Sequence, residues 1–323
     1  MRTGNVFSAT ASGRLGRVCR IIDPVPLERF DDARARAVLG QTEILVTGWG
    51  CPPIDRSVMA LAPELRLIAH AAGTVKTFMA PEVFSGDVMV THAAAPNALP
   101  VAEFTLAAII FANKQVFQFQ QNYARMRIGL EPGQGAGPAA GNFRRTIGIV
   151  GASLVGRRLI ELLRPFDFIV RLYDPFVTPA EAASLGVEIF ELDALMSSDI
   201  VSLHAPILPA TRHMIDARRL ALMRDGATLI NTARGWLVDH AALEAELVSG
   251  RINAVIDVTE PEVLPANSPL YELPNVLLTP HIAGALGAER ERLGDLTADE
   301  VERYVRGEAL LHAITRERLE RMA

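Results

Sequence analysis

Arg145-Thr-Ile-Gly-Ile-Val-Gly-Ala-Ser-Leu-Val-Gly156 is the stretch that decides the fold. An apolar strand ends at Val150, a tight turn follows, and a helical segment runs from Arg157 to Leu163. The spacing is G-x-G-x-x-G with Ser153 at the second glycine position. Gly151 suits the turn, and Gly156 suits the close approach of helix to strand. The backbone N–H groups of Leu154 and Val155 then face a pyrophosphate at the helix N-terminus. The next strand ends in Asp174, eighteen positions beyond Gly156. A carboxylate there accepts both ribose hydroxyls and repels a 2′-phosphate, which favours NAD over NADP. Ser153 leaves two readings open: its Cβ pushes the phosphates outward, or its hydroxyl donates to them.

Working outward, short apolar runs alternate with helical stretches, the pattern of parallel sheets covered on both faces. After Arg145–Val150 come Phe168–Tyr173, Ile200–His204, Ala227–Asn231, Ala254–Asp257 and Val276–Thr279, six strands in all and the size of one doubly wound nucleotide-binding domain. An earlier series comprises Glu43–Gly48, Leu65–Ala72 and Val88–Ala93. Between the two series a single long helix is expected from about Pro100 to Arg127, ending in the Gly/Pro loop 129–138. The tail, 288–322, reads as helical with a solvated charged face.

At 323 residues the chain is long enough for about two domains. A net charge of −5 without a basic cluster argues against nucleic acid as a partner. The longest clearly apolar run, Phe104–Ala112, is too short to cross a bilayer, and Met1–Ser12 lacks the apolar core of a signal peptide, so a cytoplasmic protein without a membrane partner is expected. Cys19 and Cys51 have no metal-ligand spacing; they read as small buried hydrophobes, and no metal site is expected. Of 32 basic residues only Lys76 and Lys114 are lysines.

Three further segments sit at C-terminal strand ends, where open α/β sheets bind ligands: Asn231-Thr-Ala-Arg-Gly235, Asp257-Val-Thr-Glu-Pro-Glu262 and Thr279-Pro-His-Ile-Ala-Gly284. Arg234 can grip an α-keto carboxylate in a bidentate fork. His281 can move the hydroxyl proton, and Glu262, bonded to its other ring nitrogen, would fix the tautomer and favour imidazolium.

At these residues the chain resembles the D-isomer-specific 2-hydroxyacid dehydrogenases over nearly its whole length. The resemblance implies an NAD-dependent oxidoreductase acting on a small anionic 2-hydroxy or 2-keto acid. It makes Arg234 the substrate-orienting residue, His281 the acid/base, and Glu262, rather than Glu260, the partner of the histidine. It places Asp257 beside the nicotinamide amide, lines the cofactor with His204-Ala-Pro206 and Thr211, and adds Thr232, Ala233, Arg234, His281 and Gly284 to that lining. His70, His92, His213, His240 and His312 lie in no supporting motif. The implied fold is α/β with two doubly wound parallel-sheet domains: a Rossmann nucleotide-binding domain, 113–290, inserted into a discontinuous flavodoxin-like substrate domain, 1–112 and 291–323. Hinges are expected near Phe111–Gln115 and Leu286–Arg292, with a cleft that closes to exclude water. A homodimer through the nucleotide domain rests on the same analogy.

The chain also departs from the family. In the substrate loop Ala71-Ala-Gly-Thr-Val-Lys-Thr77, Gly73 and Thr74 take the positions whose N–H groups clasp the substrate carboxylate, while Lys76 replaces an acidic residue. Lys76 either meets a second anionic group or points outward. Asn97 matches the family, and Phe104 stands where His is usual. Phe7–Arg20 reads as the first helix with no strand ahead of it, as from a trimmed domain or a misassigned start; either leaves a sheet edge for a partner chain to cover. Two other functions fit the same scaffold: a formate or phosphite dehydrogenase, and an NAD-sensing protein with vestigial catalysis.

Overall fold

The computed structural model describes residues 6–127 and 140–316, together with Leu319. The expected loop 129–138 lies outside the described residues. In chain order the elements are α1 (Ala9–Val18), α2 (Ala33–Leu39), β1 (Ile44–Thr47), α3 (Arg56–Leu61), β2 (Leu67–His70), β3 (Met89–His92), α4 (Ala94–Asn113), α5 (Val116–Met126), β4 (Thr146–Val150), α6 (Leu154–Leu163), β5 (Ile169–Tyr173), α7 (Pro179–Leu185), β6 (Glu188–Ile189), α8 (Leu192–Leu195), β7 (Ile200–Leu203), α9 (Ala217–Ala221), β8 (Thr228–Asn231), α10 (His240–Val248), β9 (Asn253–Ile256), β10 (Val276–Leu278) and α11 (Glu291–Val305). Short polar side chains start many of the helices. Ser8, Asp32, Asp55, Ser153, Thr178, Asp216 and Asp239 each accept a first-turn N–H that no helical carbonyl can reach.

The chain divides into two compact units, Met1–Asn97 with Ala285–Met322, and Ala98–Gly284. This differs from boundaries at 112/113 and 290/291. The first division falls inside α4 because Ala102, Ala108 and Ile109 of that helix belong to the core of the second unit.

In the first unit β1, β2 and β3 form a parallel sheet in that order. Alternation along β2 sends Leu67 and Ala69 into a cluster with Leu15, Ala298 and Val301 of α1 and α11, and Ile68 into another with Leu39, Val58 and Val90. The helix read over Phe7–Arg20 appears as α1, and β1 lies at the edge of the sheet.

The second unit holds a seven-stranded parallel sheet, ordered β10-β9-β8-β7-β4-β5-β6. The strand missing from the sequence reading is β6, two exposed residues too short to show a pattern. Strand order reverses between β4 and β7, the topological switch point at which doubly wound sheets bind nucleotides.

Three expectations are corrected. The helix expected over Pro100–Arg127 is two helices, because Gln115 takes the left-handed conformation (φ 54°) and stops the i→i−4 ladder. The helix of the tail, Glu291–Val305, is interrupted where Gly307 turns the chain with φ 68°, and Arg316 and Leu319 are helical again. The apolar segment around Phe104–Ala112 extends to all of α4, whose length and composition suffice to cross a membrane. In this fold α4 carries core residues of the second unit. The cysteines are half-buried; burial raises the Cys19 thiol and pushes that of Cys51 up to about 12.

Candidate active site and dinucleotide cradle

The cradle forms at the switch point. Gly151 has φ 102°, and a Cβ there would stand 2.8 Å from the Ala205 nitrogen of the loop after β7. A Cβ on Gly156 would stand 2.1 Å from the Gly151 carbonyl oxygen. Both positions exclude any other residue, and the turn stays open for a backbone approach by a ligand. Ser153 caps α6, its Oγ accepting the Gly156 N–H at 3.3 Å. Its hydroxyl proton therefore remains available, and Leu154 is exposed at the same turn. Asp174 accepts the Ala152 N–H through Oδ2 and the Phe176 N–H through Oδ1, both at 2.8 Å. Each oxygen keeps a lone pair for a ribose hydroxyl. An open glycine turn, a free serine proton and a carboxylate beside the turn fit NAD.

The neighbouring loop is closed by Thr211, whose Oγ1 donates to the Pro206 carbonyl at 2.7 Å and accepts the Leu208 N–H at 2.9 Å. Beneath it His204 is buried, with Nε2 2.8 Å from Ser202 Oγ and Nδ1 without a partner among the described residues. Desolvation lowers its pKa to about 3, so the ring is neutral. Thr232 pairs with Thr105 of α4 at 3.0 Å, and because Thr105 donates to the Val101 carbonyl, Thr232 is the donor.

The residues that the sequence marks as candidates for the chemistry arrive on three loops. Asn231 shapes the first: its Oδ1 accepts the Ala233 N–H at 3.1 Å and its Nδ2 donates to the Arg234 carbonyl at 2.9 Å. A Cβ on Gly235 would stand 2.2 Å from the Thr259 carbonyl carbon, so the Arg234 and Glu262 loops meet backbone to backbone. Thr259 Oγ1 donates to the carbonyls of Pro261 and Glu262. Arg234 is half-buried and donates to the Ala233 carbonyl. Desolvation lowers its pKa, opposed in part by the charge of Glu262. His281 Nδ1 bonds directly to a Glu262 carboxylate oxygen, as read from the sequence. Nε2 is left for an external partner, and the pair is exposed at 47% and 61%.

His281 has φ 55°, a conformation that costs a non-glycine residue on the order of 1–3 kcal/mol. Asp257 holds it there. The Asp257 carboxylate is buried and accepts from Thr279 Oγ1 at 2.6 Å, Ile282 N at 2.8 Å and Ala283 N at 2.9 Å, while its carbonyl accepts the His281 N–H. The sequence reading assigned this carboxylate to the nicotinamide amide. Three of its acceptor positions serve the histidine loop. Asn231, Gly235, Thr259 and Thr279 had no role in the sequence reading; the signal was their place inside the three motifs.

The substrate-loop residues lie in the first unit. Asn97 Nδ2 is 3.8 Å from where a Gly73 Cβ would stand. Lys76 is half-buried; its N–H donates to Thr74 Oγ1 at 3.3 Å, and desolvation lowers its ammonium. His92, read as an ordinary histidine, donates from Nδ1 to the Gly73 carbonyl at 3.2 Å. Its signal was position: it is the register partner of His70 at the end of β3. His70 is buried against Thr47 at 2.9 Å and lowered by desolvation to about 4.

Residues 106–283 match the family described as "D-isomer specific 2-hydroxyacid dehydrogenase, NAD binding domain". A glyoxylate reductase of Thermofilum pendens is 35% identical over 263 residues, 79% of this chain and 76% of that protein. A D-3-phosphoglycerate dehydrogenase of Mycobacterium bovis is 32% identical over 265 residues, 81% of this chain and 49% of that protein. The chain thus spans about half the length of the phosphoglycerate dehydrogenases it matches. Among solved structures, a phosphoglycerate oxidoreductase from Rhizobium etli superposes with a TM-score of 0.81 at 25% identity, covering 97% of this chain and 95% of that one. With the profile, the curated relatives and the cradle in agreement, the chain belongs to the D-isomer-specific 2-hydroxyacid dehydrogenase family and carries its NAD-binding domain.

Proposed function

We propose that the protein is an NAD-dependent oxidoreductase interconverting a small 2-hydroxy acid and its 2-keto acid, working as a 2-keto acid reductase. The observation that carries this is the His281–Glu262 bond, formed in the unit that also positions Arg234 and the glycine turn. Gly151, Ser153, Leu154, Val155, Gly156 and Asp174 would hold the dinucleotide, with Pro206, Thr211, Thr232, Ala233 and Gly284 lining it. NAD, when bound, supplies the hydride acceptor or donor. His281 moves the hydroxyl proton at Nε2 while Glu262, bonded to Nδ1, holds the ring in orientation. Arg234 pairs with the substrate carboxylate and polarises the adjacent carbonyl oxygen. Within the first unit, Gly73 and Thr74 offer backbone N–H groups to an acid, with Asn97 beside Gly73.

The test is NADH oxidation with glyoxylate, hydroxypyruvate, pyruvate, oxaloacetate and larger 2-keto acids. His281→Ala is expected to lose 10²–10⁴-fold or more in kcat, the usual contribution of a positioned acid/base. NADH binding without turnover of any 2-keto acid would reject this function in favour of a formate- or phosphite-type dehydrogenase or the NAD-sensing reading.

We place the enzyme in the cytoplasm and expect a homodimer through the nucleotide-binding unit. Support for the dimer comes from α5, which buries none of its residues and exposes Tyr123 and Met126, with Phe111 exposed just before it.

A further inference from the structure

We propose that Arg290, stacked on Trp49, receives a second acidic group of the substrate, so that the enzyme prefers 2-keto and 2-hydroxy acids bearing a distal carboxylate, sulfonate or phosphate. The proposal rests on the 2-hydroxyacid reading above and adds the substrate class to it.

The argument begins with register. Thr47, His70 and His92 are aligned partners in three parallel strands, so β1, β2 and β3 end level on one edge. Trp49 follows the first strand, the Gly73–Thr74 clasp the second, and Asn97 the third. All three therefore emerge at the carboxyl edge, the side on which open parallel sheets bind ligands.

A chain of contacts then links them to Arg290. Asn97 sits beside Gly73, and its Oδ1 accepts the Ala285 N–H at 3.2 Å. The Ala285 carbonyl accepts Arg290 Nε at 3.2 Å. The Arg290 guanidinium carbon lies 5.8 Å from the centroid of the Trp49 ring. Trp49 in turn packs in one cluster with Ala71 and Ala93, which flank the clasp and Asn97 in sequence. The backbone clasp and this guanidinium thus belong to one connected patch of the first unit.

The charge of Arg290 is unanswered there. It is half-buried, yet among the described residues no carboxylate forms an ion pair with it, unlike Arg14, Arg157, Arg219 or Arg251. Stacking on an indole steadies a guanidinium without neutralising it. With Nε committed to Ala285, the two η nitrogens remain, and such a pair grips a carboxylate or phosphate by two parallel bonds. A ligand whose α-carboxylate is held by the clasp can satisfy Arg290 only with a second anion.

The experiment compares kcat/KM for oxaloacetate against 2-oxobutyrate, and 2-oxoglutarate against 2-oxovalerate, in the wild type, Arg290→Gln and Arg290→Lys. The wild type should prefer at least one diacid over its neutral counterpart. Arg290→Gln should reduce that ratio by about tenfold or more, and Arg290→Lys, which keeps the charge but not the fork, by less. A ratio that is the same in the wild type and Arg290→Gln overturns the proposal.

A second readout separates this proposal from the function on which it rests. Trp49 is one of two tryptophans, so D-malate and 2-hydroxybutyrate are titrated against tryptophan emission without cofactor. A response to D-malate that Arg290→Gln and Trp49→Phe both remove upholds the site even if no 2-keto acid is turned over. A response that survives Arg290→Gln, or no response together with unchanged ratios, rejects it.

Discussion

Ser153 caps α6 through its oxygen and keeps its proton for a second partner. A serine in place of the second glycine is compatible with the cradle because its Oγ caps α6 while its proton stays free. Ser153→Ala should remove the cap and cost about 1 kcal/mol in unfolding free energy, read from urea melts. It should also weaken NADH and ADP-ribose more than adenosine, which lacks the pyrophosphate. Equal weakening of all three in calorimetry would show that the hydroxyl serves only the helix. Asp257 makes the same point more strongly. Asp257→Ala would leave two N–H groups and the Thr279 hydroxyl without their acceptor, each worth about 1–3 kcal/mol when buried. We expect kcat to fall more than NADH affinity; a loss confined to NADH affinity would return Asp257 to the nicotinamide amide.

Among the elements, the loops at the carboxyl ends of the strands carry the proposed chemistry, and close backbone packing fixes the Arg234 loop against the Glu262 loop. Gly235→Ala would force a Cβ to 2.2 Å from the Thr259 carbonyl carbon, moving the Arg234 loop off the Glu262 loop. Overpacking of this kind costs typically 1–3 kcal/mol, and turnover should drop while the fold persists, as followed by circular dichroism and kinetics. Two buried neutral histidines lie at carboxyl strand ends, His204 just after β7 and His70 as the last residue of β2, lowered to about 3 and about 4. The unfolded chain takes up their protons below about 6.5, whereas the folded chain refuses them until pH 3 to 4. Stability present above pH 6.5 is therefore lost on acidification, by up to about 1.4 kcal/mol per pH unit for each histidine. Melts at pH 7.5 and pH 5 should show a smaller acid loss in His204→Asn than in the wild type. An identical pH slope would mean that His204 is not held neutral by the fold.

For the whole molecule the expected assembly is testable through α5. A helix of eleven residues that buries none of them, with Tyr123 65% exposed, is poorly explained by the second unit alone. Tyr123→Lys should shift the sedimentation coefficient from dimer towards monomer without altering the circular dichroism spectrum. A monomeric wild type at micromolar concentration would remove this role for α5. The boundary was legible only approximately because α4 is one uninterrupted apolar helix whose buried residues belong to the second unit.

The sequence alone determined the parallel sheets and the glycine turn, because strands buried on both faces read as apolar runs, and it singled out Arg234, Glu262 and His281 as candidates, because each sits in a motif at a strand end. It also distinguished Glu262 from Glu260, though only through family spacing. It did not reveal β6, whose two exposed residues carry no pattern, or the break at Gln115, where nothing but the backbone angle stops the helix. Tertiary structure decided what the remaining polar groups do. Asp257 was legible as a candidate, but its three side-chain bonds cross 22 to 26 residues of sequence, and Arg290 meets Trp49 from the other sequence segment of the first unit. Such pairings depend on where strands end in space, and hydrophobic periodicity carries no record of that.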